Sequence, residues 1–167
     1  MIISISICYM LLNNQQLQAQ SLEKLPEKLQ AALFIKLLSM SKDINNGKDI
    51  SIYVLNAPAE AVELKKAKGR MIGKSRLVSV QEGNRLPETH PTVIFIGDTP
   101  RFQEWIQFCQ KEKILSISGI PELVEKGVTL GLSMVENKPL ILLNITSSKA
   151  ENISWHPTLL KLSKIYK

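Results

Sequence analysis

The stretch of this chain that comes closest to a catalytic motif is GRMIGKS, residues 69–75. A phosphate-binding P-loop has four residues between its glycines, so that successive amides surround the phosphates, and it connects a strand to a helix. Only three residues separate Gly69 from Gly73, and the stretch follows a predicted helix and enters a predicted strand. The pattern therefore indicates a glycine turn with Lys74 and Arg76 in solvent, and it argues against nucleotide hydrolysis.

The histidines and the second cysteine have no recognisable catalytic or metal-binding spacing. His90 and His156 each precede a proline, which favours extended or turn backbone. A zinc site needs three or four suitably spaced ligands, and a catalytic triad needs a nucleophile beside a positioned base. Cys109 has no histidine nearby and lies on an apolar helical face, so we expect a buried thiol. We expect Trp155 to cover the core, and we expect no enzyme, metal or cofactor.

The composition is that of one ordinary domain with a mild basic excess. The chain has 167 residues, of which 44% are hydrophobic, and 21 Lys and Arg against 15 Asp and Glu give a formal charge of +6. The low glycine, proline and cysteine content excludes collagen-like, low-complexity and disulfide-dense classes. The basic residues are spread along the chain and not gathered into blocks, which gives little support to binding of nucleic acid or anionic lipid.

The first twenty residues differ from the rest of the chain. Residues 1–12 read MIISISICYMLL, and residues 1–20 carry no charge. An apolar run of this length is typical of a secretory signal peptide, and the small Ala19 lies near a cleavage site after Gln20. We therefore predict a signal peptide at 1–20, an α/β domain at 21–167, and a periplasmic protein without membrane insertion after cleavage. The alternative is a buried first strand at 2–12.

From residue 21 onward the pattern alternates between helical and strand periods. Apolar residues at helical spacing predict a first helix ending near Met40, and we expect an exposed apolar face around Phe34 and Leu38 to contact a partner. Three further helices begin near Pro58, Pro100 and Pro121. The predicted strands are short apolar runs, and they lie at residues 50–55, 77–80, 92–96 and 114–117. Alternation of this kind implies parallel β-α-β units.

The end of the chain changes character. Residues 128–135 and 139–145 are apolar runs joined by the polar residues 136–138, which predicts an antiparallel hairpin. An apolar stripe from about Pro157 to Tyr166 predicts a closing helix. The fold class is therefore α/β: a single three-layer domain with a mostly parallel sheet, a C-terminal antiparallel hairpin and flanking helices.

A ligand site in such a fold lies at the carboxyl ends of the parallel strands, where helix N-termini present free amides. The residues at these positions are Asn56, Gly97, Asp98, Ser118 and Gly119. The carboxylate of Asp98 would repel an anion, so we expect Asp98 or Thr99 to cap the following helix.

Three segments of the chain resemble the YfiR-like family of small exported bacterial proteins. They are SIYVLNAPAE, the run ILSISGIPELVEKGVTLGLSMVENKPLILLNI and the closing TLLKLSKIY, within residues 24–166. The family's first helix commonly ends in an aromatic Trp-Pro segment, where this chain has LLSMSKDINNGKD.

The resemblance implies a non-enzymatic periplasmic regulator. Such a protein binds the extracytoplasmic part of a membrane signalling enzyme, a diguanylate cyclase that makes cyclic di-GMP or a sensor kinase, and controls its activity. We expect it to do so as a homodimer. The alternative from another class is a periplasmic small-ligand binding module that uses the cleft at the strand ends. A third is a basic protein held to anionic lipid or nucleic acid by charge.

Overall fold

The computed structural model describes residues 21–167, so the predicted signal peptide and the alternative strand at 2–12 lie outside the described residues. In that range, no helix is both long and apolar enough to span a bilayer. The helices are α1 (Glu27–Leu38), α2 (Pro58–Lys65), α3 (Phe102–Glu112), α4 (Glu122–Glu125), α5 (Ile145–Ala150) and α6 (Pro157–Leu162). The strands are β1 (Ile50–Leu55), β2 (Met71–Ile72), β3 (Ser75–Gly83), β4 (Val93–Ile96), β5 (Leu115–Ser118), β6 (Leu130–Val135), β7 (Lys138–Asn144) and β8 (Ser163–Tyr166).

The strands form one sheet in the order β2-β3-β1-β4-β5-β6-β7-β8. Five neighbouring strands of this sheet, β3, β1, β4, β5 and β6, are parallel to one another. Their arrangement is that of a doubly wound fold. β6 and β7 form the predicted antiparallel hairpin through a two-residue turn, in which Glu136 and Asn137 both have positive φ. The predicted mostly parallel α/β sheet is therefore confirmed.

Helices cover both faces of the sheet. On one face α1, α2 and α6 bury a large core, in which Phe34 meets Phe95 of β4 edge-on with ring centroids 5.7 Å apart. On the other face α3 and α4 cover a smaller cluster that contains Tyr53, Ile94 and Trp105. Every residue of β4 and β5 is buried because both faces are packed, which explains the continuous apolar run of β4.

The expectation that Phe34 and Leu38 lie on an exposed face is wrong. Both side chains are buried in the larger core, together with Ala31 of the same helix. The sequence of α1, EKLQAALFIKLL, carries apolar residues around most of its circumference, so periodicity does not reveal which side the sheet covers. These two residues are core residues and do not offer a surface to a partner.

The predicted closing helix is also wrong in its second half. The helix α6 ends at Leu162, and residues 163–166 form β8, which pairs in parallel with β7. Ser163 adopts an extended conformation and its hydroxyl donates to the carbonyl of Leu159 at 2.7 Å, which ends the helix. The free edge of β7 then provides hydrogen-bond partners for the backbone N–H and C=O groups of residues 163–166.

The connection from β3 to β4 has no helix. Residues 84–92, which we call the strap, cross over β1 on the α3 face of the sheet. The hydroxyl of Tyr53 donates to the carbonyl of Arg85 at 2.6 Å and fixes the strap to β1. Because an extended strap is thinner than a helix, it leaves a groove beside α3.

Candidate functional site

The carboxyl ends of β1, β4 and β5 meet at one edge of the sheet, because these parallel strands are neighbours. The five predicted ligand-binding residues lie there: Asn56 follows β1, Gly97 and Asp98 follow β4, and Ser118 and Gly119 lie at the end of β5. We call this the carboxyl edge. The structure thus brings the predicted residues to one edge of the sheet.

Backbone fills the space between β1 and β4. The amide of Gly97 donates to the carbonyl of Leu55 at 2.8 Å, and a Cβ on Gly97 would overlap the carbonyl of Asn56. Asn56 itself has a positive φ of 48°, which turns the chain sharply toward α2. This close approach requires glycine at position 97 and leaves no ligand position between the two strand ends.

Side chains fill the space beyond β5. The hydroxyl of Ser118 donates to the carbonyl of Ile96 at 2.7 Å and accepts from the amide of Ile120 at 3.0 Å. A Cβ on Gly119 would overlap the side-chain carbonyl of Gln30, a fully buried residue of α1. The serine and the glycine therefore serve internal packing at this point.

The two remaining residues of the carboxyl edge face separate cavities. Asn56 lines an open cavity of about 930 Å³ between the start of α2 and the strap. Asp98 lines a smaller cavity of about 370 Å³ together with Lys126, the residue that follows α4. The predicted cap is not formed by Asp98 or by Thr99, because α3 begins only at Phe102 and Arg101 occupies the N-cap position.

The groove between the strap and α3, which we call the strap groove, has a volume of about 550 Å³. Its floor is aromatic: Trp105 stacks on Tyr53 at 6.5 Å between centroids, and Phe108 meets Trp105 edge-on at 6.2 Å. Leu86 on the rim is 61% exposed. The other residues that line it are polar or charged: Asn84, Arg85, Arg101, Glu104, Gln107 and Lys111.

The charges of the strap groove are mainly basic. Glu104 is its one acidic lining residue, and a side-chain hydrogen bond from Arg101 lowers the pKa of that carboxyl. Arg101 and Glu104 form an ion pair, and Lys111 lies 3.9 Å from the carboxylate of Glu112 outside the groove, so the positive excess of the groove comes mainly from Arg85. An apolar floor with a basic rim favours a ligand that is apolar at its centre and acidic at its ends.

A buried carboxylate lies at the opposite end of the sheet. Glu151, at the end of α5, is fully buried and accepts three hydrogen bonds: from the Ser116 amide at 3.0 Å, the Ser116 hydroxyl at 2.6 Å and the Thr129 hydroxyl at 2.6 Å. Burial raises the pKa of Glu151 to about 7, although these hydrogen bonds lower it. The side chain ties α5 to the start of β5 and to the residue before β6.

Cys109 lies on the buried face of α3, as predicted. Burial, together with the charge of Glu151, raises the pKa of its thiol well above the usual value. A thiol that stays protonated is a poor nucleophile. Cys109 is therefore a packing residue of the smaller core.

The P-loop-like stretch forms a β-hairpin. Met71 and Ile72 pair with Arg76 and Ser75 across a turn in which Gly73 has a φ of 61°. Lys74 and Arg76 are exposed, as predicted. A hairpin turn does not present the successive amides that surround a phosphate in a P-loop.

The histidines and Trp155 have structural contacts. His156 accepts a hydrogen bond from the Thr158 amide at its Nδ1 and so caps α6, while His90 lies 3.0 Å from the carbonyl of Glu112. Trp155 is buried in the larger core, as predicted, and its Nε1 donates to the Ser148 hydroxyl at 2.8 Å. Within residues 21–167, no three His, Cys, Asp or Glu side chains are grouped to hold a metal ion.

Comparison with known protein families decides the relationship. A family model described as YfiR/HmsC-like matches residues 27–164, which is most of the chain. The chain belongs to the YfiR/HmsC-like family. Members of this family are known as periplasmic regulators of signalling and not as catalysts. No curated protein matches the chain at a significant level.

Among solved structures, the fold of this YfiR/HmsC-like chain is similar to a conserved domain protein from Vibrio cholerae O1 biovar El Tor strain N16961. The TM-score is 0.54 at 14% sequence identity, and the match covers 85% of this chain. The chain spans 60% of the length of that structure. At this identity the similarity supports the α/β fold alone.

Sequence reasoning missed the strap groove and Glu151. The groove exists because residues 84–92 contain no helix, and the polar sequence QEGNRLPETHP does indicate a loop there. Nothing near Glu151 in the sequence signals burial, because its partners Ser116 and Thr129 lie 35 and 22 residues away. Among these features, the strap groove is the exposed surface with both apolar area and a defined charge.

Proposed function

We propose that this protein is a non-enzymatic periplasmic regulator that binds the extracytoplasmic part of a membrane signalling enzyme, a diguanylate cyclase or a sensor kinase, and controls its activity. The observation that carries the proposal is the YfiR/HmsC-like match over residues 27–164, because that family consists of periplasmic regulators of signalling. Signal-peptide cleavage near Gln20 and export belong to the same proposal.

The chemistry of the buried groups supports a regulatory role. The two side chains with the largest pKa changes, Glu151 and Cys109, are both buried. A catalytic acid or nucleophile must touch its substrate. These groups therefore support the fold.

We place the partner on the strap groove. Leu86, Trp105 and Phe108 supply apolar contact area, and aromatic residues of this kind often dominate binding energy at protein interfaces. The basic excess, which comes mainly from Arg85, complements a partner segment with apolar side chains flanked by Asp or Glu. The proposed occupant is such an acidic, apolar segment of the membrane enzyme.

The test is co-purification of the tagged, exported full chain from membranes that contain candidate cyclases and kinases. We expect one such enzyme to co-purify, and a strain lacking the chain to show changed activity of that enzyme. Absence of any signalling enzyme, together with unchanged signalling in the deletion strain, would contradict the proposal. Light scattering on the exported protein tests the predicted homodimer, which requires twice the chain mass.

A second candidate is a small-ligand module at the carboxyl edge. The observation that favours it is the cavity of about 930 Å³ that Asn56 lines beside Tyr53 and Arg85. Binding of a nucleotide or an amino acid there would raise the melting temperature of the protein, and the increase would grow with the logarithm of the ligand concentration above the dissociation constant. A thermal-shift screen in which none of these ligands stabilises the protein would exclude this candidate.

A further inference from the structure

We propose that a cavity at the amino end of the sheet, separate from the strap groove, binds a phosphate group. The cavity has a volume of about 650 Å³. We call it the basic cavity, and its lining residues are Ser39, Met40, Ser41, Lys42, Asn45, Lys74, His156 and Thr158. They come from three segments: the turn after α1, the β2-β3 turn and the start of α6.

The lining of the basic cavity carries cationic groups and no carboxylate. Within residues 21–167, neither Lys42 nor Lys74 forms an ion pair. The nearest acidic residue in sequence, Asp43, does not line the cavity, and its carboxylate accepts from the Ser154 amide at 2.6 Å. Two unpaired ammonium groups across one cavity repel each other, and an anion between them would remove that repulsion.

The cavity is held in shape by a side chain in its wall. The amide nitrogen of Asn45 donates to the carbonyl of Ser39 at 3.1 Å, and its side-chain oxygen accepts from the backbone amide of Lys74. A Cβ on Gly73 would overlap the Asn45 side chain, so the β2-β3 turn packs directly on it. This contact fixes Lys74 relative to the turn that bears Lys42, which reduces the entropy lost when both bind one ligand.

Two further polar residues line the cavity. The Nδ1 of His156 accepts from the Thr158 amide at 3.2 Å, so the proton of a neutral imidazole is on Nε2, which is then a donor. The Ser41 hydroxyl is buried and has no hydrogen-bond partner among the described residues. A buried hydroxyl without a partner is costly, and an anion oxygen would satisfy it.

This set of groups suits phosphate. A phosphate group offers several strong acceptor oxygens, whereas lysine, histidine Nε2 and serine all donate. The cavity is larger than one phosphate ion, and Met40 gives it an apolar wall, so the group belongs to a larger molecule. That molecule is either a free phosphorylated solute or a phospholipid whose headgroup enters the cavity.

The test measures binding of inorganic phosphate to the full chain, by thermal shift and calorimetry at constant ionic strength with chloride as the reference. We expect phosphate, and not chloride, to raise the melting temperature progressively, with the logarithm of its concentration above the dissociation constant. The double variant Lys42→Gln/Lys74→Gln should bind phosphate at least tenfold more weakly. The matched control Lys36→Gln/Lys138→Gln removes the same charge from exposed sites outside the cavity and should bind as the parent does.

Ser41→Ala separates ligand binding from folding. It removes the unpartnered hydroxyl, so the unliganded protein should have the same or a higher melting temperature while phosphate affinity falls. Equal phosphate affinity in the parent and the Lys42→Gln/Lys74→Gln variant would overturn the proposal. Flotation with vesicles of phosphatidylglycerol distinguishes the sources: binding that the double variant alone loses identifies a lipid headgroup, and phosphate binding without flotation identifies a free solute.

Discussion

The two ends of the parallel sheet differ in a way that the fold class does not predict. At the carboxyl edge, where a doubly wound fold usually binds its ligand, Gly97 against Asn56 and Gln30 against Gly119 fill the space at the strand ends, and the open cavity lies to one side, between α2 and the strap. The amino end, which the rule leaves out, holds the buried carboxylate of Glu151 and the basic cavity beside Lys74. The fold rule locates an edge, but side chains and loops from distant segments decide where the cavities lie at each end of the sheet.

The largest expected effect tests whether Glu151 organises the amino end. Glu151→Ala would leave the Ser116 amide and the hydroxyls of Ser116 and Thr129 buried without an acceptor. We expect the free energy of unfolding to fall by about 4 kcal/mol, the sum of two or three unpaired donors. Urea denaturation measures it. The exposed control Glu125→Ala should change stability by less than about 0.5 kcal/mol, and an equal effect in both variants would contradict this role.

The next effect tests the closure of the carboxyl edge. In Gly97→Val the added side chain would overlap the carbonyls of Asn56 and Leu55, which are backbone atoms and yield little. We expect a loss of about 3 kcal/mol in the free energy of unfolding. Ala59→Val, on the exposed side of α2, should cost only a few tenths of a kcal/mol. If Gly97→Val is as stable as that control, the edge has room for a ligand.

The pH dependence of stability sharpens the same comparison. The pKa of Glu151 is about 7 in the folded protein and near 4.5 when unfolded, so the folded state holds its proton more tightly. Its contribution is therefore complete below about pH 4.5 and is lost as the pH rises through 7, with a fall of up to about 3 kcal/mol. Glu151→Gln should remove this slope. A parent and a variant with parallel stability profiles between pH 4.5 and 7 would show that Glu151 does not titrate there.

The sequence predicts the architecture well because the signals are local. The apolar run of β4 and the two-residue turn at Glu136 and Asn137 each indicate a structure formed by neighbouring residues. The closing segment is different: residues 163–166 have a helical pattern, yet they pair with β7, because the free strand edge competes with the helix. A single sequence does not reveal that edge.

The sites are harder to predict because they depend on contacts between distant residues. The carboxyl edge follows from strand order, but the Gln30 side chain that fills it lies 89 positions before Gly119. The stretch GRMIGKS shows the converse: its spacing excludes a P-loop, yet the hairpin places Lys74 in the basic cavity beside Lys42 and His156.

The central claim is regulation through a partner bound at the strap groove. The most direct measurement is the dissociation constant between the exported protein and the extracytoplasmic part of the co-purified enzyme, for the parent, Leu86→Glu and Val62→Glu. Leu86 and Val62 are 61% and 54% exposed, so both substitutions add the same charge at similar surface sites. We predict at least tenfold weaker binding for Leu86→Glu, because its carboxylate would meet an acidic partner, and less than a twofold change for Val62→Glu. Equal binding by all three proteins would contradict the account.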